Sequence, residues 1–145
     1  YVPTIFDNFS VEVQTKSHGK VQLCLWDTAG QEKFQSLGFA FYRGADAVAL
    51  VYDVGDTKSF DHLDNWRNEF LKQVGLDESG ANFPFILLGN KIDRPESNPE
   101  RIKEQLSQMN ILVEDWGGKI QSQEISAKTG LAPTRTIEPA VAKNV

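Results

Sequence analysis

Asp27, Gly30 and Gln31 fall close together in "WDTAGQE" (26–32), where an apolar strand pattern ends. A carboxylate at such a position can hold a magnesium ion, mostly through water, because magnesium dehydrates reluctantly. Gly30 has no Cβ, so its backbone N–H can come close to a terminal phosphate. Gln31 can orient an attacking water, the kind of help that phosphoryl transfer needs. A bare D-x-x-G is weak evidence, since an aspartate often just starts a turn. The longer stretch is far more specific.

A second constellation, Asn90-Lys91-Ile92-Asp93, directly follows the apolar run 83–89. A carboxylate at Asp93 can accept from both N–H groups on one edge of guanine. Adenine lacks that pair of donors, so a site built this way rejects it by leaving polar groups unpaired. Asn90 can brace the loop, and the stem of Lys91 can lie over the base plane. The plainer alternative is a polar strand-to-helix turn. Ser126-Ala127-Lys128 comes next. There the Ala127 N–H can donate to the guanine O6, and Lys128 can cover the base. At the start, Thr4 in "YVPTIF" can offer a hydroxyl to magnesium and an N–H to the γ-phosphate. Read by itself, that stretch is only an extended segment held by Pro3.

These residues need a sheet to carry them. "SVEVQTK" (10–16) and "KVQLCLW" (20–26) alternate apolar and polar around a short glycine-bearing turn, which predicts an antiparallel hairpin. "AVALVYDV" (47–54) and "FPFILLG" (83–89) are nearly continuous apolar runs, as in parallel strands covered on both faces. Between them Phe60, Leu63, Trp66, Phe70 and Val74 recur at helical spacing, a stripe read as core packing. In the segment 97–110, Asn98 suits an N-cap and Pro99 the first helical position, with Ile102, Leu106 and Met109 facing inward. "EDWGGK" then reads as a loop, "IQSQEISA" as a final strand, and 131–145 as a helix interrupted by Pro133 and Pro139. The alternation indicates a mostly parallel α/β sheet with an antiparallel edge hairpin, in one domain over 1–145. Ligands in such sheets bind at the carboxyl ends of the strands.

Bulk properties narrow the partners. The net charge of −5 over 145 residues argues against nucleic acid as the main ligand. The lone Cys24 excludes an internal disulfide framework and fits a reducing, cytoplasmic setting. Its place in a strand pattern predicts a buried structural thiol. No apolar run approaches the ~18 residues that span a bilayer, and no lipidation motif is present. The chain begins with Tyr1, which fits missing first residues or an engineered fragment.

Taken in order, the four stretches resemble the Ras-like small GTPases. "WDTAGQEKFQSLGFAFYRGADAVALVYDV" and "FPFILLGNKID" look closest to the late-endosomal Rab branch, whereas "YVPTIFDNF" (1–9) looks Rho-like. Asn98 to Gly130 is similar to the GTPase domain of an initiation factor that delivers initiator tRNA. Such a patchwork fits a divergent natural member and equally a recombined or designed sequence, and the second would bind nucleotide poorly. The resemblance implies a GTP/GDP-binding switch with Mg2+, slow hydrolysis through Gln31 and metal contacts from Thr4 and Asp27. It also implies nucleotide contacts from Gly30, Asn90, Lys91, Asp93, Ser126, Ala127 and Lys128. Effector, exchange and activating proteins would meet 1–9 and 27–45, with endomembrane association if the full-length parent is lipidated. One departure stands out. The family's first strand, phosphate loop and first helix have no counterpart, and G-x-x-x-x-G-K-[ST] occurs nowhere in the chain. The strands ending at Asp27 and Val54 should therefore keep unpaired edges.

Overall fold

A computed structural model describes residues 6–28, 42–77, 83–95, 99–117 and 120–131. The chain divides into two compact units, Tyr1–Arg43 and Gly44–Val145. The first holds the expected hairpin. Strand β1 (Phe6–Thr15) runs antiparallel to β2 (Gly19–Thr28), in register from Phe6 opposite Thr28 to Thr15 opposite Gly19. Both strands extend beyond the alternating core of their sequence. The turn closes because Gly19 takes a left-handed φ of 67°. Thr15 Oγ1 stitches it by accepting from the His18 N–H at 3.0 Å and donating to the Gly19 carbonyl at 3.0 Å.

Period-two alternation gives this ribbon two different faces. Phe9, Val11 and Val13 stand opposite Leu25, Leu23 and Val21 on one of them. On the other, Ser10, Glu12 and Gln14 stand opposite Cys24, Gln22 and Lys20. Lys20 pairs with Glu12 at 2.8 Å, and the Gln22 amide donates to Ser10 Oγ at 2.7 Å. Cys24 thus lies on the polar face, and the expectation of a buried thiol fails. The residue is exposed, with its sulfur 3.8 Å from Ser10 Oγ.

The second unit is α/β. Strands β3 (Val48–Asp53), β4 (Phe85–Asn90) and β5 (Gln121–Glu124) form a parallel sheet in the order β3-β4-β5. Helix α1 (Thr57–Asp61) and helix α2 (Leu63–Val74) connect β3 to β4, and helix α3 (Pro99–Asp115) connects β4 to β5. The apolar stripe is therefore two helices rather than one. Asp56 caps α1 by accepting from the Lys58 N–H at 3.0 Å. Gly75 ends α2 with φ 74°, and the following Leu76 N–H reaches back to the Leu71 carbonyl at 3.0 Å, a Schellman closure. Pro99 opens α3 as its sequence implied, but the helix continues through Glu114 and Asp115, which had been read as loop. It ends only before the Gly117-Gly118 pair.

The core of this unit forms where β3 and β4 meet the helices. Leu50, Tyr52, Leu87 and Phe85 from the sheet and Phe60, Leu63, Phe70 and Leu71 from α1 and α2 are buried, as is Met109 of α3. Trp66 and Val74, also in the stripe, are half-buried. Arg67 is the exception among these apolar groups. Its guanidinium lies 5.0 Å from the Trp116 ring centroid and 5.6 Å from that of Phe85, a doubly stacked cation that needs little water. Trp116 donates its indole N–H to Asp64 one turn earlier on α2, at 2.9 Å, which keeps a counter-charge beside Arg67.

Glu124, at the end of β5, is less well provided for. One of its carboxylate oxygens is buried without a partner, and burial pushes its carboxyl above the ordinary glutamate value. The same charge, after burial itself, helps raise the Tyr52 hydroxyl to about 12. A group whose pKa rises on folding stabilises the fold below its unfolded pKa and less as pH climbs through the folded one. Glu124→Gln is therefore expected to raise Tm at pH 7 by a few degrees, on the order of 1 kcal/mol. The gain should shrink toward pH 4. Calorimetric scans of both proteins across that range check it; a gain that grows toward acid would contradict the argument.

Among the described residues β2 pairs only with β1, and β3 only with β4, so each keeps one unpaired edge as expected. Of the segment 131–145, only Leu131 is described, bridged to Ser126. The helix expected there lies outside the described residues.

Candidate functional site

Three loops at the carboxyl ends of β3, β4 and β5 converge in the second unit, where an α/β sheet binds its ligands. Asn90, the last residue of β4, joins two of them. Its Oδ1 accepts from its neighbour's N–H, that of Lys91, at 2.8 Å and from the Ala127 N–H at 3.0 Å. Backbone pairing reinforces the joint, with the Ile125 N–H on the Gly89 carbonyl at 2.7 Å and the Ile92 N–H on the Ile125 carbonyl at 3.4 Å. A single amide oxygen thus spaces the β4 loop against the β5 loop. This is the bracing role expected of Asn90, extended to a loop 37 residues away.

Ser126 is almost wholly buried and supplies the second clamp. Its hydroxyl donates to Asp93 Oδ1 at 2.5 Å and accepts the Thr129 N–H at 3.2 Å. Asp93 itself is exposed. The Ser126 hydroxyl, then Asp93's own backbone N–H, Lys128 and Arg94, hold its carboxyl below the usual aspartate value against an opposing effect of burial smaller than that of Ser126. An ionised carboxylate has about four lone-pair sites, so Ser126 leaves room for two further donors. Lys128 is exposed beside it. Ala127 differs from its expected use: the N–H meant for the guanine O6 is already given to Asn90.

Lys91 is positioned by a partner that the sequence reading did not single out. Its backbone takes φ 69°, a left-handed conformation that costs a non-glycine residue roughly 1–2 kcal/mol. Asp53, at the end of β3, holds the side chain through an ion pair of 2.9 Å to Nζ, and the same Oδ2 meets Arg94 Nη1 at 3.0 Å. Asp53 Oδ1 accepts the Gly55 N–H at 2.8 Å. Burial alone would raise the Asp53 carboxyl; Lys91, Gly55 and Arg94 together outweigh it, and the group lies below its ordinary value. The available signal was an aspartate ending an apolar strand, the pattern that drew attention to Asp27.

Asp53→Asn is expected to release both cations and lower Tm at pH 7 by about 2–4 °C, roughly 1 kcal/mol for a partly exposed pair. A carboxyl depressed on folding stabilises above its unfolded pKa, near 4, and less as pH falls through the folded value. The variant should therefore lose less stability than the parent between pH 5 and pH 2, as acid titrations followed by circular dichroism would register.

The other candidate residues are less fully described. Thr4, Gly30 and Gln31 lie outside the described residues. Asp27 is the next-to-last residue of β2, exposed and directly opposite Asp7. Two exposed carboxylates across a hairpin repel one another. Among the described residues no group of three or more His, Cys, Asp or Glu side chains gathers to hold a metal without other help. No helix among the described residues is long and apolar enough to cross a membrane.

Comparison with known proteins shows the family. The sequence matches the Ras family over residues 1–143. It is 56% identical over 97 residues to the Ypt/Rab-type GTPase Rab7 of Neurospora crassa, covering 67% of this chain and 47% of that protein. It is 52% identical over 108 residues to the GTP-binding protein YPTC5 of Chlamydomonas reinhardtii, covering 72% and 50%. Against the Ras-related protein Rab7 of Glycine max the identity is 49% over 131 residues, 88% and 60%. The chain therefore spans about half the length of the curated relatives it matches. With nearly every residue inside the family match, the chain belongs to the Ras family, and its relatives are of the Rab7 and Ypt kind.

Proposed function

We propose that this chain carries the guanine-reading half of a Rab-type GTP-binding switch that acts in membrane traffic. The observation behind the proposal is the double clamp, Asn90 across both loops and Ser126 on Asp93, which presents an ionised carboxylate between two fixed backbone segments. Asp93 would accept the two N–H groups of guanine. Lys91 and Lys128 would flank the base, and Asn90 would keep the loops apart by the thickness of a ring. The Ala127 N–H would turn from Asn90 toward the guanine O6 or be shared between them.

On the phosphate side, Thr4, Gly30 and Asp27 would meet the γ-phosphate and a hydrated Mg2+, and Gln31 would orient the attacking water. Bound magnesium would supply charge neutralisation at the γ-phosphate. The motif G-x-x-x-x-G-K-[ST], whose backbone N–H groups and lysine would do the same for the β-phosphate, occurs nowhere in these 145 residues. Positioning provides most of the catalysis in phosphoryl transfer, so these residues by themselves should hydrolyse GTP orders of magnitude more slowly than a site that has such a loop. Effectors, exchange factors and activating proteins would meet 1–9 and 27–45.

A second reading, a recombined or designed α/β domain with little nucleotide affinity, is favoured by one observation: the Ala127 N–H is already satisfied internally. Titration with a fluorescent GDP analogue and magnesium, competed by guanosine and adenosine, separates the two. Competition by guanosine but not adenosine supports base reading. Equal or absent competition removes it.

A further inference from the structure

Glu124 is half-buried in the second unit, and the site makes no use of it. The strand register explains its place. Tyr52 stands opposite Gly89 and Gly89 opposite Glu124, so the three form one row across β3, β4 and β5, on one face of the sheet. The middle of the row has no side chain, and Tyr52 leans over it, its Oη 2.8 Å from where a Cβ on Gly89 would stand. That hydroxyl donates to Met109 Sδ at 3.5 Å, while one carboxylate oxygen of Glu124 is buried with no partner. The next residue, Ile125, makes both backbone bonds to the β4 side, and the one after it, Ser126, clamps Asp93. The titratable group facing Glu124 is Tyr52, raised to about 12 and so protonated at neutral pH. From β4 come Gly89 and the neutral Asn90, and β5 itself offers Gln121, Ser122 and Gln123. Helices α1 and α3 meet the row through Phe60 and Met109, and their described charged side chains are exposed. In the adjoining loops Asp93, Arg94 and Lys128 are exposed, and Lys91 is held by Asp53.

We propose that Glu124 works as a proton-operated latch on β5. While it holds its proton, the strand stays docked and the Asn90 and Ser126 clamps stay closed. When the proton leaves for bulk water, the charge that remains has a buried oxygen with no hydrogen bond. The readiest relief is for β5 to shift outward and hydrate it, and a strand of four residues has few bonds with which to resist. The loops beyond β5 then loosen with it. Burial sets the sign: it raises the docked carboxyl above the ordinary glutamate value, near 4.3, that an undocked one would have. Docking is therefore favoured most in acid, weakens as pH climbs through the docked value, and is level above it.

Two measurements on this chain and on Glu124→Gln, from about pH 4.5 to about pH 8, test the latch; the second rests on the guanine-reading function proposed above. The first follows, without nucleotide, the amide proton resonances of Ile125 and Ala127, whose bonds to the Gly89 carbonyl and to Asn90 Oδ1 report docking directly. In the parent both should move together, with one midpoint above about 4.3, and in the glutamine variant both should stay still. The Leu76 amide, bonded within the end of α2, should not move in either protein. Equal movement at Leu76 would mean that Glu124 sets only overall stability, and equal movement in the two proteins would point to another group. Either result overturns the proposal. In the second measurement a fluorescent GDP analogue with magnesium should bind the variant about threefold to tenfold more tightly than the parent near pH 8, and both alike near pH 4.5. Equal affinities over the whole range would overturn the link from latch to loops. Expected amide shifts with no nucleotide bound by either protein would leave the latch standing and remove only the guanine-reading function.

Discussion

Asp93→Ala is expected to lower affinity for GDP by tenfold to about a hundredfold and to bring guanosine and adenosine close to parity as competitors. The magnitude follows from what the carboxylate would do. Two charge-assisted hydrogen bonds leave with it, and an alanine offers guanine nothing that adenine cannot also use. The fold should tolerate the change, because Asp93 is exposed and Ser126 keeps its bond from the Thr129 N–H. Thermal melting close to the parent's would show that the loss is local. Unchanged discrimination between the two nucleosides would mean that Asp93 does not read the base. The clamp would then be no more than a way of joining two loops.

Among the described glycines, Gly89 is the one whose replacement by alanine should cost stability through crowding. A Cβ at Gly89 would come within 2.8 Å of Tyr52 Oη, 2.9 Å of Val54 Cγ1 and 3.0 Å of Tyr52 Cζ. None of these is the free end of a flexible side chain. Tyr52 is 3% exposed, stacked edge-on against Phe60 at 5.3 Å, with its hydroxyl 3.5 Å from Met109 Sδ. Alanine's better backbone propensity returns about 0.5–1 kcal/mol, but overpacking costs typically 1–3, so the balance should be a loss of about 1–2 kcal/mol. For a chain of this size that is roughly 3–8 °C in Tm. Gly89→Val should lose more. Tyr52→Phe removes the closest atom, so the double variant Gly89→Ala/Tyr52→Phe should melt higher than the two single losses predict when added. Simple additivity would show that the tyrosine does not set the limit. Nucleotide affinity should fall as well, because Gly89 is both the acceptor for Ile125 and the neighbour of Asn90.

Much of this arrangement was legible because burial writes plainly into sequence. The runs at 47–54 and 83–89 became β3 and β4, Pro99 opened its helix, and the polar residues just after β4 and β5 met at one end of the sheet. The features that stayed hidden share a cause: each depends on groups far apart in the chain. Asp53 reaches Lys91 across 38 positions, and nothing local to either residue announces the pair. The left-handed backbone of Lys91 is likewise imposed from outside, since lysine has no preference for it. Cys24 was misplaced for a simpler reason. Alternation already sets Cys24 on the face of Gln22, opposite Ser10, and a place in a strand does not by itself mean burial. The extension of α3 through Asp115 was missed because glutamate and aspartate look loop-like when a glycine pair follows. Thr4, Gly30 and Gln31 remain legible only as residues of a motif.

Asn90 also has a thermodynamic consequence. β5 is four residues long, joined to β4 from Ile86 opposite Gln121 to Gly89 opposite Glu124, and it is the last strand of its sheet. So short a strand is the natural place for the sheet to fray. Any ligand gripped by both the Asn90–Asp93 loop and the Ser126–Lys128 loop would be bound only while β5 stays docked. Ligand occupancy and the closing of that edge would then be one equilibrium, and amide exchange at 121–127 would slow in proportion to the ligand's concentration over its dissociation constant. The outermost strand would act as a gauge of what the pocket holds.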